Sequence, residues 1–495
     1  MDFLEKARTL KPRLFEKKYF PLSETEPIGR YMRSGDHFTL DFGTHLVGNF
    51  HLSVAADQTP DSPLVVELLF AEMPFELDDY TYTGGLSSTW IQKETICLDY
   101  FSGEIVLPRR YAFRYVKITF PGNTAYRVRY EQAYCVAVTS ADETRLEPLP
   151  EGTDPLLVHI DTIALRTLRN CMQSVFEDGP KRDRRLWLGD LYLQAKTNFY
   201  TYRNYDLVKR CLYLFAGLPY PNGGLSSAVY HEPMLKNQAW VLHDYALFFI
   251  GVLYDCYEYA HDLPLLQELW PTAYRQAEIA AEAADEQGLV QPKYYFIDWC
   301  DALDKTAAAQ GTAVAMLKKA LRLAEIIGDE GRAAALRGYI RRLSEAARGL
   351  YDEKRRLFVS GPSQQVSWAS QIWMILAGIL TRDENAEVID NLQNCREAIR
   401  TVTPYTMHFY IEALIACGKM EEAMRTVCAY WGGMAEMGAD CFWEVYIPED
   451  PEASPYQSHR INSYCHAWSC TPAYFIRKYF IECGTEAVCG EYREG

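Results

Sequence analysis

The stretch LVHIDTIALRTLRNCMQSVF, residues 157–176, places apolar side chains at three- and four-residue spacing, the period of a helix with one buried face. The same period recurs in AVAMLKKALRLAEIIGD (313–329), GRAAALRGYIRRLSEAARGLY (331–351), ASQIWMILAGIL (369–380) and HFYIEALIACG (408–418). A helix with its return loop and cap takes ~27 residues, so Ile163 to Cys489 has room for about a dozen helices. A tetratricopeptide or HEAT array needs a fixed period of about 34–47 residues, and none is present. A closed helical toroid is predicted instead.

Upstream of Pro150 the period is two. HFTLDFG (37–43), GNFHLSV (48–54), PLVVELLFAE (63–72), WIQKETICLDY (90–100), GEIVLP (103–108), FRYVKITF (113–120) and YRVRYEQAYCVAV (126–138) are rich in β-branched and aromatic residues, with turn residues between them. They predict an antiparallel β-sandwich. The chain therefore divides into an N-terminal arm and β-sandwich over 1–150 and a helical domain over 151–495. Three roles stay open for the β-module: supporting the helices, binding sugar, or making the contact of a homodimer. The loop Asp78-Asp79-Tyr80-Thr81-Tyr82 reads as a solvated hairpin tip or as an arm reaching a pocket.

A net charge of −16 repels polyanions, so nucleic-acid and anionic-membrane partners are not expected. The fourteen cysteines contain no C-x-x-C pair and no zinc-ligand spacing, and read as reduced, buried small hydrophobes. Residues 1–20 lack the apolar run of a secretory signal, and ALFFIGVLYDCYEYA (246–260), interrupted by Asp255 and Glu258, suits a buried helix better than a membrane span. A cytoplasmic protein is expected.

Three long interruptions of the helical pattern are rich in Gly, Pro, aromatics and acids: 220–233, 291–305 and 438–468. Loops of that length inside a compact domain are usually functional. The densest constellation is EDGPKRDRRLWLGD (177–190), in which Pro180 suits a first helical turn capped by Asp178. Asp178, Asp183 and Asp190 are spaced so that several carboxylates reach one cleft while the arginines hold some of them ionised. A second constellation is Cys441-Phe442-Trp443-Glu444-Val445-Tyr446, with His466-Ala467-Trp468 downstream. Two distant acid groups beside aromatic rings fit glycoside hydrolysis, one protonating the leaving oxygen and one activating water.

These segments resemble a known family. Asp178 to Asp190 resembles, without a gap, the D-C-P-x-R-(E/D)-x-x-x-W-x-G-D motif of the α-L-rhamnosidases of glycoside hydrolase family 78. Phe442-Trp443-Glu444 is similar to the family's (T/F)-x-W-E segment, and Ser463 to Pro472 to its H-A-W-S-x-x-P segment. Asp41-Phe42-Gly43 with Gly48, and Leu107 to Tyr115, are similar to the β-sandwich before the family's catalytic domain, an (α/α)6 barrel.

The resemblance implies an inverting exo-glycosidase that removes α-L-rhamnose, or a related 6-deoxy sugar, from a small glycoside or oligosaccharide without a metal or other cofactor. Asp183 would be the general acid and Glu444 the general base. Asp178, Arg182, Asp190 and His466 would bind sugar hydroxyls. Trp187, and Trp299 in the Asp298-Trp299 loop, would pack on the ring and its methyl group, and Asp298 and Trp443 would also bind the substrate. Where characterised members generally place Glu as the acid this chain has Asp183, one methylene shorter, which implies a differently shaped substrate or a role shared with Asp190. With the sequence ending at Gly495, the family's C-terminal β-domain is not expected. Two competing readings are a uronide hydrolase or lyase using the arginines of 182–185, and a sugar-binding protein without activity.

Overall fold

The structure, a computed structural model, describes residues 2–99, 101 and 103–481. Expectations that reach into 482–495, Cys489 and the end of the predicted helical domain among them, lie outside the described residues.

Seven strands form one sheet: β1 (Phe15–Tyr19), β2 (Tyr31–Met32), β3 (His37–Ala56), β4 (Leu64–Ala71), β5 (Lys93–Leu98), β6 (Glu104–Thr119) and β7 (Val128–Thr139). Every pairing is antiparallel, in the order β1-β7-β3-β6-β4-β5, with β2 also on β7. Runs that read as separate strands in the sequence are halves of continuous ones. HFTLDFG and GNFHLSV join into β3 through a bulge at residues 42–45, where Gly43 takes φ +69°. GEIVLP and FRYVKITF join into β6 through a second bulge around Pro108, which has no N–H to give a ladder.

The first bulge doubles the sheet over. Phe38 packs 5.4 Å from Tyr130, which pairs with Val54 at the far end of the same strand. A straight strand would hold residues 38 and 54 about 50 Å apart. The sandwich core of Phe38, Phe42, Phe50, Phe70 and Phe113 thus lies inside a single folded sheet.

Among the described residues, twelve helices follow residue 150. Six pack side by side as an inner ring: Leu188–Tyr200, His243–Ala260, Thr306–Ile327, Trp368–Leu376, Pro404–Ala416 and Pro472–Phe475, the last continuing as a π-helical turn. The ring closes where the last meets the first and where His408 lies 5.0 Å from Phe475. The alternate helices, from Pro155–Cys171 to Met420–Glu436, lie outside it. Tyr192, Phe248, Trp373 and Phe409 pack ring against ring across the axis.

The helical domain is not free of strands. Leu186–Trp187, Ala228–Tyr230 and Lys236–Asn237 make a small sheet, and Tyr351–Asp352 pairs with Leu357–Phe358. At two or three residues each, these are too short to leave a period in the sequence. No helix among the described residues is long and apolar enough to cross a membrane.

Candidate active site

A cleft of about 520 Å³ opens where the inner helices begin. Asp190 and Tyr245 reach it from the first turns of their helices, and Lys305 from just before a third. The turn 178–187 and two of the three long loops, 291–305 and 438–468, supply most of the rest, whereas 220–233 supplies no lining residue.

Residues 178–185 form a tight turn rather than the expected start of a helix, which begins at Leu188. Asp178 organises that turn. Its two oxygens accept the amides of Asp183 at 3.1 Å and Arg185 at 3.0 Å, and Arg184 sits at φ +63°. Asp178 therefore caps the turn and not a helix. The Asp183 carboxylate projects at the tip, 3.3 Å from Arg185 and 3.7 Å from Arg182. Burial, and next the charges of Asp183 and Asp190, push the Asp178 carboxyl up to about 7.

The 438–468 loop folds back on itself, with Glu444 N–H donating to the Ser463 carbonyl and His466 N–H to the Phe442 carbonyl, both at 2.9 Å. Ala467 N–H reaches the Asp178 carbonyl at 2.7 Å, which ties this loop to the first turn. Glu444 ends on the floor of the cleft. The Tyr456 hydroxyl donates to its Oε1 at 2.5 Å, and the Ser463 amide (3.0 Å) and the Arg182 guanidinium donate to its Oε2. Burial works to raise its pKa, but Arg182, His466, Tyr456 and the Ser463 amide outweigh it and hold the carboxyl down at about 2. His466 Nε2 faces Asp190 Oδ1 at 3.3 Å. His466 Nδ1 is buried without a hydrogen-bond partner in the protein, which leaves it open to a ligand's hydroxyl. Burial acts to lower the His466 pKa, yet Glu444, Asp190 and Asp178 carry it above the ordinary value; burial likewise raises Asp190.

The walls are aromatic. Trp187 lines the cleft edge-on to Tyr245, and Trp299 packs against Phe296 and Tyr456. Eight of the ten site residues expected from the sequence, Asp178, Arg182, Asp183, Trp187, Asp190, Trp299, Glu444 and His466, border one cavity. The other two stand behind it. Trp443 is buried between Tyr446 and Tyr464, because side chains alternate along the extended 442–444 segment and Glu444 takes the cleft side. Asp298 anchors its loop, accepting the Val402 amide at 2.8 Å and the Thr403 hydroxyl at 2.6 Å. Burial raises its pKa to about 6.

Several cleft residues carried no usable signal in the sequence. Tyr456 lay unremarked inside a flagged loop. Leu86 and Trp90 come from the sheet domain, where Trp90 had read as the start of a strand. The segment next to the Asp78–Tyr82 tip is thus an arm into the cleft of its own chain, fixed by Gly85 N–H on the Tyr456 carbonyl at 2.8 Å. The sheet domain also grips the base of the 178–185 turn through Arg110, which donates to both oxygens of Glu177 at 2.8 and 2.7 Å.

Six inner and six outer helices thus surround one mouth lined by carboxylates and indoles, an arrangement suited to a carbohydrate-active hydrolase. Residues 22–137 match the family model described as glycosyl hydrolase family 78 alpha-rhamnosidase N-terminal domain, and 151–480 that of the bacterial alpha-L-rhamnosidase 6 hairpin glycosidase domain. The chain belongs to glycoside hydrolase family 78.

Among solved structures, the rhamnosidase from Klebsiella oxytoca with rhamnose bound is 43% identical, with 97% of this chain and 98% of that one covered at a TM-score of 0.93. The family 78 rhamnosidase of Bacillus sp. GL1 shares the fold at 21% identity and a TM-score of 0.75; 89% of this chain is covered, but only 46% of that protein. The Streptomyces avermitilis α-L-rhamnosidase complexed with L-rhamnose shares it at 19% identity and 0.70, covering 94% and 44%. No curated protein matches the chain.

Proposed function

We propose that this enzyme hydrolyses terminal α-L-rhamnosyl linkages, or those of a related 6-deoxy sugar, in small glycosides or oligosaccharides, with inversion at the anomeric carbon. Asp183 is the general acid and Glu444 the general base. The observation that carries the reading is the placement of these two carboxylates on one cleft, on either arm of Arg182, in a chain so similar to a rhamnose-bound rhamnosidase.

Glu444, ionised and fixed by its three donors, takes a proton from water as that water attacks the anomeric carbon. Asp183, nearer the mouth with 18% of its side chain exposed against 2% for Glu444, gives its proton to the departing oxygen. The bond to the aglycone breaks as the bond to water forms, and each carboxyl ends in the other's starting state. Asp178, Arg182, Asp190 and His466 hold the sugar hydroxyls, and Trp187 and Trp299 cover the ring and its methyl group. Eleven of the described cysteines stand free, in keeping with a cytoplasmic enzyme. Of the arginines on which a uronide reading would rest, Arg182 and Arg185 are bound to Glu444 and Asp183, which weighs against it.

The test is release of nitrophenol from a panel of nitrophenyl glycosides, α-L-rhamnoside included, by the wild type, Asp183→Asn and Glu444→Gln. Turnover of the rhamnoside, abolished by Glu444→Gln and weakened by Asp183→Asn, is expected. Failure of the wild type on every rhamnoside, or full activity in either variant, would overturn the assignment.

A further inference from the structure

Both loops that carry the acting carboxylates converge on one buried carboxylate of the other domain. Glu72 follows the last residue of β4 and is 2% exposed. Its Oε2 accepts the Tyr464 amide at 2.8 Å and lies 3.2 Å from Lys181 Nζ, while its Oε1 lies 3.0 Å from His45 Nε2. Lys181 also donates to Glu76 Oε1 at 2.5 Å, and Glu76 Oε2 accepts the amides of Glu72 and Met73 at 2.7 and 2.8 Å.

The position of these contacts in the chain matters more than their number. Lys181 directly precedes Arg182 and Asp183. Tyr464 directly follows Ser463, whose amide holds Glu444, and stands two residues before His466. Burial favours neutral forms of Glu72 and Lys181, but their mutual attraction and the neighbouring partners keep the glutamate below and the lysine above its ordinary pKa, so both stay charged. A buried ion cluster is weak evidence for net stability, since its desolvation offsets most of its attraction. What it does supply is direction: the ammonium and the amide have one place each where their charge and their N–H are met.

We infer that Glu72 is a positioning residue of the active site, setting the acid's turn and the base's loop against each other through Lys181 and the Tyr464 amide. This rests on the reading of Asp183 and Glu444 as the acting pair. The sheet domain is then part of the catalytic apparatus rather than an attached module.

The test is steady-state kinetics on nitrophenyl α-L-rhamnoside with Glu72→Gln, Glu72→Ala and Lys181→Met, each shown folded by circular dichroism. Glu72→Gln keeps the shape and the acceptor for Tyr464 but loses the charge, so it remains informative if the alanine variant fails to fold. A displacement of about 1 Å costs on the order of 100-fold, so kcat is expected to fall about 10-fold in the glutamine variant and about 100-fold in the alanine variant, with KM unchanged. The double variant Glu72→Gln/Lys181→Met should lose less than the product of the two single losses, because the two residues share a contact. Unchanged kcat, a loss confined to KM, or losses that add would overturn the inference.

Hydrogen exchange keeps its failure separate from failure of the functional reading. In Glu72→Gln the amides of Asp183 and Arg185, which Asp178 holds in the wild type, should exchange faster while the helical core does not. Unchanged exchange there contradicts the inference even if no rhamnoside is turned over.

Discussion

Arg182 and Glu444, 262 positions apart in the chain, meet on the floor of the cleft with guanidinium on carboxylate, and the other arm of the same guanidinium lies 3.7 Å from Asp183. One cation thus faces both carboxylates of the proposed pair, and it is the largest influence holding Glu444 ionised.

The first prediction follows from that charge. Burial alone favours the protonated form of Glu444, and Arg182 is the largest influence in the other direction. In Arg182→Met the proton stays on Glu444 to higher pH, so activity is lost on the acid side at a higher pH than in the wild type. An opposite charge at this range is worth about 1–3 units, and the acid limb of kcat/KM should move up by that amount. A pH–rate profile checks it.

The acid and the base should differ in their response to the leaving group. A general acid contributes roughly 100- to 10,000-fold, most where the departing oxygen is a poor leaving group. Asp183→Asn should therefore lose far more activity on a rhamnosyl sugar than on a nitrophenyl rhamnoside. Glu444→Gln should lose the same factor on both. Parallel kcat measurements on the two substrates decide this.

Asp298 supports the Trp299 loop from behind and does not face the cleft. Asp298→Ala leaves the Val402 amide and the Thr403 hydroxyl without their acceptor and frees the loop. KM should rise and the melting temperature should fall, while kcat at saturation stays near the wild-type value. A large fall in kcat would place Asp298 on the substrate instead.

In the sheet, a Cβ on Gly48 would stand 2.1 Å from the Val136 carbonyl oxygen and 2.7 Å from the Ala137 Cα, both backbone atoms of a paired strand. Gly48→Ala should cost about 1–3 kcal/mol or more, as overpacking does, read as a lower midpoint in urea.

The division into a period-two and a helical part was legible because both patterns are long. The twelve helices match the estimate from residue spacing. The doubling of one sheet into a sandwich was not legible, since it depends on which side of the Gly43 bulge each run continues, and alternation looks the same either way. For the site, the gap-free match over 178–190 brought five of the cleft's polar groups and Trp187 into view together. Trp443 and Asp298 were misplaced because adjacency to a site residue says nothing about which way a side chain points. Tyr456, Trp90 and Glu72 reach the site through contacts between segments far apart in the chain, which no local pattern records.

A single displacement between the two proposed carboxylates fixes the configuration of the product. The decisive measurement is proton NMR of the sugar released from an α-L-rhamnoside by the wild-type enzyme, recorded before the anomers equilibrate. The account predicts β-L-rhamnose as the first product. Appearance of the α anomer first would mean a covalent intermediate and would contradict the roles given to Asp183 and Glu444.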